Sequence, residues 1–120
     1  MIKTLFVLLS VLSLSKPYED AEFNHQSVDS FSTWVCERVV YPEVAKVNEI
    51  EGRVVVMFKV TKEGKVTDIR TLDSAHSELS AEIERVVRLS PRWKPARING
   101  TAIDTYYTLP IDFELIRSKK

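Results

Sequence analysis

The stretch Gly52-Arg53-Val54-Val55-Val56-Met57-Phe58-Lys59-Val60 decides the fold. Its even-numbered residues from Val54 to Val60 are all apolar, whereas the odd-numbered residues include Arg53 and Lys59. Successive side chains of a β-strand point to opposite faces, so this alternation predicts a strand with one buried face and one largely exposed face. Such a strand is typical of an antiparallel sheet.

A hairpin is predicted directly after this strand. Gly64 lies in the polar segment Thr61–Lys65, where a tight turn favours a residue that tolerates a positive φ. The returning strand is predicted over residues 66–72. Its apolar residues Val66 and Ile69 are out of phase, and a β-bulge between them would reconcile the pattern.

Three segments have helical patterns. The first is predicted from about Phe31, after the potential capping residues Asp29 and Ser30, and its apolar stripe comprises Phe31, Trp34, Val35 and Val39. The second is a short helix over residues 41–47, because Pro42 suits the first turn of a helix. The third is predicted to start at Ser77 as its cap and to end before Pro91, with one face formed by Leu79, Ile83, Val86 and Val87.

A long half-buried strand is predicted at the C-terminal end, where apolar and polar residues alternate from Ala102 to Leu115. Pro110 interrupts the polar half of the pattern. Because proline has no N–H to donate to a neighbouring strand, it is normally confined to an edge strand, a strand start or a bulge. We therefore predict an edge strand, whose outward backbone groups belong to Tyr106, Thr108, Pro110, Asp112 and Glu114.

An exposed edge of this kind has two interpretations. Pro110, Asp104 and Asp112 can serve only to prevent aggregation, or the edge can be a site to which a partner adds a strand. The residues by themselves favour neither.

The first residues have the order of a secretory signal: a cation at Lys3, an apolar run over residues 5–12, and small residues at Ser13 and Ser15. The apolar run is too short to cross about 30 Å of hydrocarbon as a helix. We predict a signal peptide over 1–15, a flexible tether over 16–30, one domain over 31–116 and a tail over 117–120. The alternative for the apolar run is a buried N-terminal strand or helix.

Composition and reactive residues limit the function classes. Lys plus Arg and Asp plus Glu both total 17, so the net charge is zero, which argues against nucleic acid or an anionic membrane surface as a partner. Cys36 is the single cysteine, and with His25 or His76 it forms the available nucleophile and base set. Cys36 lies beside the apolar stripe of the first helix, which favours packing, and the two histidines lack metal-ligand spacing. We expect no catalytic site, no cofactor and no metal.

Several motifs occur in a specific order over about residues 31–115. They are Tyr41-Pro42 with Ala45, Gly52–Val60, Gly64-Lys65-Val66, Arg85-Val86-Val87, Pro91-Arg92-Trp93-Lys94-Pro95, Gly100 and Leu109-Pro110-Ile111-Asp112-Phe113. Taken together they resemble the C-terminal domain of the TonB energy-transducer family. The resemblance implies an α+β two-layer sandwich with helices on one face of a three-stranded antiparallel sheet. Trp93 could form a recognition surface, but its large apolar area favours packing in the core.

The resemblance also implies a function: an exported, periplasmic domain that binds an extended segment of an outer-membrane TonB-dependent receptor, or of a related envelope protein, beside its last strand. The implied partner-binding residues are Asp104, Tyr106, Thr108, Pro110 and Asp112, together with Tyr41 and Pro42. Family members also have an inner-membrane helix and a long Pro-rich linker, from which the short leader and tether predicted here depart. No stable membrane insertion is expected after removal of the signal. The alternative is a structural envelope module that uses the same edge to form a homodimer.

Overall fold

The computed structural model describes residues 17–115. Its elements in chain order are β1 (Tyr18–Glu19), α1 (Asp29–Arg38), α2 (Glu43–Val47), β2 (Gly52–Val60), β3 (Val66–Ser74), α3 (Ser77–Arg88), β4 (Ala96–Ile98), β5 (Thr101–Ile103) and β6 (Thr105–Phe113). The predicted signal peptide (1–15) and tail (117–120) lie outside the described residues.

The main sheet is antiparallel and has the order β3-β2-β6. Its central strand β2 buries the predicted face, with Val54, Val56, Phe58 and Val60 each at most 1% exposed. β2 and β6 pair without interruption over nine residues, from Gly52 opposite Phe113 to Val60 opposite Thr105. The pairing of β2 with β3 is instead shifted at two points, and Asp68 has a φ of 53°. The predicted irregularity in the second strand is therefore confirmed.

Helices α1 and α3 cover one face of this sheet, which confirms the two-layer α+β arrangement. Their buried residues are Phe31 and Val35 in α1, and Leu79, Ser80, Ile83, Val86 and Val87 in α3. The capping predictions are wrong: Val28 and His76 occupy the N-cap positions without side-chain capping bonds, while Asp29 and Ser77 are the first helical residues.

A second three-stranded sheet, of order β1-β4-β5, was not predicted. It is completed by the segment before α1: Tyr18 is opposite Ile98, and the backbones of Glu22 and Lys94 exchange hydrogen bonds of 2.9 and 3.0 Å. Ala21 is 1% exposed and Phe23 is 2% exposed. The prediction of a flexible tether over 16–30 is therefore wrong for residues 17–30, because this segment contributes both a strand and two core side chains.

The prediction of a single C-terminal strand from Ala102 to Leu115 is also wrong, because the structure divides this segment into two strands. β5 belongs to the small sheet and β6 to the main sheet, and Asp104 lies between them. The Asp104 carboxylate accepts a hydrogen bond of 2.8 Å from the backbone N–H of Lys62, in the turn between β2 and β3. Asp104 thus fixes the point at which the chain passes from one sheet to the other.

An aromatic cluster joins the two sheets to the helical layer. Phe23 contacts the rings of Phe31, Trp34 and Trp93 at centroid distances of 5.0, 5.8 and 5.3 Å. Trp93 is 4% exposed, and its Nε1 donates to Ser90 Oγ at 2.9 Å. The assignment of Trp93 to the core is confirmed.

The turn between β2 and β3 is hydrogen-bonded to the segment that contains Trp93. The backbone N–H of Trp93 donates to the Gly64 carbonyl at 2.8 Å, and Arg92 donates to the Glu63 carbonyl at 3.0 Å. Gly64 has a φ of +86°, and a Cβ there would overlap the Trp93 carbonyl oxygen. Only glycine combines this backbone conformation with so close an approach.

We predict that Gly64→Ala lowers the free energy of unfolding by about 2–4 kcal/mol, since it adds steric overlap to a strained φ. Gly100→Ala is the matched control, because Gly100 has a φ of +81° but no atom within 4 Å of the position that a Cβ would take. It should cost only about 1 kcal/mol. Urea denaturation of both variants measures the difference, and equal losses would contradict the role of the Trp93 contact.

We also predict that Phe23→Ala lowers the free energy of unfolding by about 3–5 kcal/mol, because it leaves a cavity beside three aromatic rings. Phe23→Leu, which keeps most of the apolar volume, should remain folded if the alanine variant does not. The exposed neighbour His25→Ala should change stability by less than about 0.5 kcal/mol. A loss for Phe23→Ala as small as for His25→Ala would restore the tether interpretation.

Candidate partner-binding edge

The outer side of β6 is an open sheet edge within residues 17–115. Pro110 lies opposite Val55 of β2. Opposing residues of an antiparallel pair alternate between hydrogen-bonded and non-hydrogen-bonded positions, and Pro110 can occupy only the latter. Its backbone therefore faces away from β2, and the same alternation turns the backbones of Tyr106, Thr108 and Asp112 outward. Outside the sheet ladders, no backbone hydrogen bond joins these three residues to another segment of the described part of the chain.

The side chains of β6 follow the same alternation. Tyr106, Thr108, Pro110 and Asp112 are exposed, whereas Leu109, Ile111 and Phe113 are buried against the helices. The edge thus combines outward backbone groups with a solvent-facing row of side chains. Both features were predicted from Pro110 and the period-2 pattern.

Polar contacts hold two of these side chains against the outer face of the sheet. Asp112 forms a two-point ion pair with Arg53, with distances of 2.8 and 3.1 Å. The Tyr106 hydroxyl donates to Asp68 Oδ2 at 3.0 Å, across β2. The Arg53 hydrogen bonds and charge lower the pKa of Asp112, and the Tyr106 hydroxyl, followed by Arg70, lowers that of Asp68. Both side chains therefore point across the sheet and leave the backbone edge accessible.

The opposite edge of the sheet, on β3, is a poorer template for an added strand. β3 is bulged at two points and carries Asp68 at a positive φ, whereas β6 is regular along its whole length. Bulges displace the backbone groups that an incoming strand would have to meet. The regular edge of β6 is therefore the better candidate.

Not all predicted partner-binding residues are brought together. Asp104 lies before β6 and uses its carboxylate in the turn contact with Lys62. Tyr41 packs edge-on against Phe113 with ring centroids 5.3 Å apart, and its hydroxyl donates to the Ile50 carbonyl. Phe113 faces the helical layer, so Tyr41 and Pro42 lie on that side and not with the exposed side chains of β6.

Tyr41 and Pro42 instead line a separate cavity of about 410 Å³ on the helical side. Glu82 and Arg85 of α3 also line it and pair with each other at 2.8 Å. This pair lowers the pKa of Glu82 and raises that of Arg85.

Sequence reasoning missed the contribution of the N-terminal segment to β6. The Tyr107 hydroxyl accepts a hydrogen bond of 3.0 Å from the Ala21 N–H and donates one of 3.1 Å to Asp20 Oδ1. Burial raises the pKa of Tyr107, and the neighbouring Asp20 adds to the effect. In the sequence, Phe23 could have indicated that the N-terminal segment packs against the domain, because it is a large apolar residue in a polar stretch.

The candidate catalytic residues are not organised as a site. Cys36 is exposed, so the prediction that it packs in the core is wrong; its position on α1 points it away from the stripe of Phe31 and Val35. His25 and His76 lie in different segments. Across residues 17–115 there is no cluster of three potential metal ligands. Within the same range no helix is long and apolar enough to traverse a lipid bilayer.

The profile of the family described as Gram-negative bacterial TonB protein C-terminal matches residues 37–115. Protein TonB of Pseudomonas aeruginosa is 38% identical to this chain over 64 residues, which are 53% of this chain and 18% of that protein. The chain thus corresponds to a small part of its curated relative.

Solved structures have the same fold. The solution NMR structure of the Pseudomonas aeruginosa TonB C-terminal domain is 30% identical with a TM-score of 0.54, and the match covers 68% of this chain and 82% of that one. A solution NMR structure of the Helicobacter pylori TonB C-terminal domain gives a TM-score of 0.55 at 24% identity, covering 72% of this chain and 78% of that one. The latter likeness concerns the fold alone.

We predict that Arg53→Gln raises the pKa of Asp112 towards its ordinary value, since the arginine holds it low. A lowered pKa means that ionised Asp112 stabilises the fold above the unfolded pKa of about 3.9 and that this contribution is lost as the pH falls through the folded pKa. An NMR titration of the carboxylate between pH 2 and 6 measures the shift. Arg97→Gln, at an arginine that donates to the Gly100 carbonyl, is the control and should leave the titration unchanged.

Proposed function

The chain belongs to the family of Gram-negative bacterial TonB protein C-terminal domains, and from that premise we propose that it binds an extended segment of an outer-membrane TonB-dependent receptor by adding it as a strand beside β6. Domains of this family are interaction domains and not enzymes. They act in the periplasm of Gram-negative bacteria, and we propose the same location, reached through cleavage of the signal peptide predicted over residues 1–15. The binding would support TonB-dependent transport.

The open, regular edge of β6 carries this proposal. Tyr106, Thr108 and Asp112 present backbone N–H and C=O groups that lack partners in the described residues, over a strand with no break in register. An extended peptide placed beside them would gain main-chain hydrogen bonds, which supply affinity, while alternate side chains supply specificity. The exposed side chains of Tyr106 and Thr108 would lie next to those of the visiting strand.

Charge is consistent with a protein partner. The chain has a formal net charge of zero, and the ion pair of Arg53 with Asp112 neutralises charge beside the edge. Affinity would therefore come from backbone hydrogen bonds and contact area more than from long-range attraction.

We predict that Thr108→Pro reduces receptor retention at least fivefold, because it removes one outward N–H and leaves a buried carbonyl of the partner unsatisfied, at a cost of about 1–3 kcal/mol. Pro110 already occupies an equivalent outward position, so the variant should fold. The measurement is a pull-down from detergent-solubilised outer membranes, with mass-spectrometric quantification of TonB-dependent receptors.

Thr108→Ala is the matched control, because it removes the side chain and keeps the N–H, and it should retain receptor within about twofold. Equal retention by Thr108→Pro and the unsubstituted protein would reject recognition at this edge. Analytical ultracentrifugation over a range of concentrations tests the homodimer alternative: a dimer that dissociates on Thr108→Pro, with no receptor retained by either protein, would favour self-association.

A further inference from the structure

A cleft of about 180 Å³ lies between the first turn of α1 and the outer edge of β6. Five of its eight lining residues are apolar: Val28, Phe31, Phe58, Leu109 and Pro110. Phe31 and Phe58 are 1% exposed and Leu109 is 5% exposed, so they form a well-packed floor. Two polar residues of α1, Asp29 and Ser32, also line it.

The cleft is continuous with the free edge. Thr108 and Pro110 also line it, although their side chains are on the exposed face of the sheet. These two residues can therefore line the cleft only with atoms at the outer edge of β6, so the cleft opens onto that edge. A strand added beside β6 would direct every second side chain towards the helical layer, and the residue directly beside Leu109 would enter the cleft.

The size and lining of the cleft suit an apolar side chain. An engineered cavity of about 150 Å³ with aliphatic and aromatic walls accommodates benzene, so this volume has room for a branched aliphatic or a phenyl group. Filling it would remove apolar surface of both partners from water. A small residue would leave much of the space unfilled.

The charge at the rim adds a second requirement. Asp29 is the one charged side chain among the residues that line the cleft, and it has no ion pair or side-chain hydrogen bond within residues 17–115. An acidic residue of a visiting strand would be repelled there, whereas Lys or Arg would find a partner.

We propose that this cleft is a specificity pocket for the captured segment: it takes a large apolar side chain at the position beside Leu109, and Asp29 selects a basic residue near it. The proposal rests on strand addition at β6. The family match begins at residue 37, so most of α1 precedes it, and the pocket depends on a segment outside the matched region.

The test uses a phage-displayed library of random nonapeptides selected against the full chain. We expect a consensus with one position restricted to Leu, Ile, Met or Phe and a basic residue close by. In a synthetic peptide of this consensus, Ala at the apolar position should weaken binding at least tenfold, measured by fluorescence anisotropy. Asp29→Asn should abolish the preference for a basic residue.

Two helix variants localise the effect. Ser32→Leu fills the cleft and should weaken binding of the consensus peptide at least tenfold, whereas Thr33→Leu adds the same side chain at an exposed position outside the lining and should change it less than twofold. If Ser32→Leu binds the consensus peptide as tightly as the unsubstituted protein does, or if the selected consensus has no apolar position, the pocket proposal is wrong. Thr108→Pro separates the pocket proposal from the strand-addition proposal. If the consensus peptide binds Thr108→Pro as tightly as it binds the unsubstituted protein, strand addition at β6 is rejected.

Discussion

The absence of an N–H at Pro110 fixes the orientation of β6, and the rest of the exposed edge follows from it. Opposite Val55, Pro110 can stand only where its backbone faces away from β2. The register of β2 and β6 has no interruption, so this one position determines which alternate residues bond to β2 along all nine pairs. A slip by one residue would turn Leu109 and Ile111 to solvent while placing Pro110 in a position that requires a donor.

The elements predicted correctly from the sequence are those with a repeated local signal. β2 alternates over nine residues and α3 repeats its apolar face over three turns, so each prediction rests on several concordant residues. The bulge in β3 was visible because Val66 and Ile69 broke the same alternation. Pro110 added a constraint that is chemical and independent of periodicity, and this is why the edge assignment was possible.

The features that escaped prediction depend on pairs far apart in the chain. β1 has two residues, too few for a period, and it is a strand only because β4 lies beside it. Glu22 pairs with Lys94, and neither residue identifies the other in the sequence. The boundary at Asp104 was hidden because alternation continues from Ile103 into Thr105 while the chain changes sheets. The cleft beneath α1 likewise needs Phe58 and Leu109 from two strands and Val28 from a third segment.

Pro110 also bears on what the edge is suited to accept. A strand added beside β6 would find no N–H at this position, so one of its carbonyls loses a partner at a cost of about 1–3 kcal/mol if it is buried. Two copies of β6 paired symmetrically would contain this defect twice. A partner segment of different sequence would lose only one hydrogen bond at Pro110, and it could place an apolar side chain in the cleft. On the strand-addition proposal, Pro110 would therefore disfavour pairing of two copies of β6 more than the addition of a different strand.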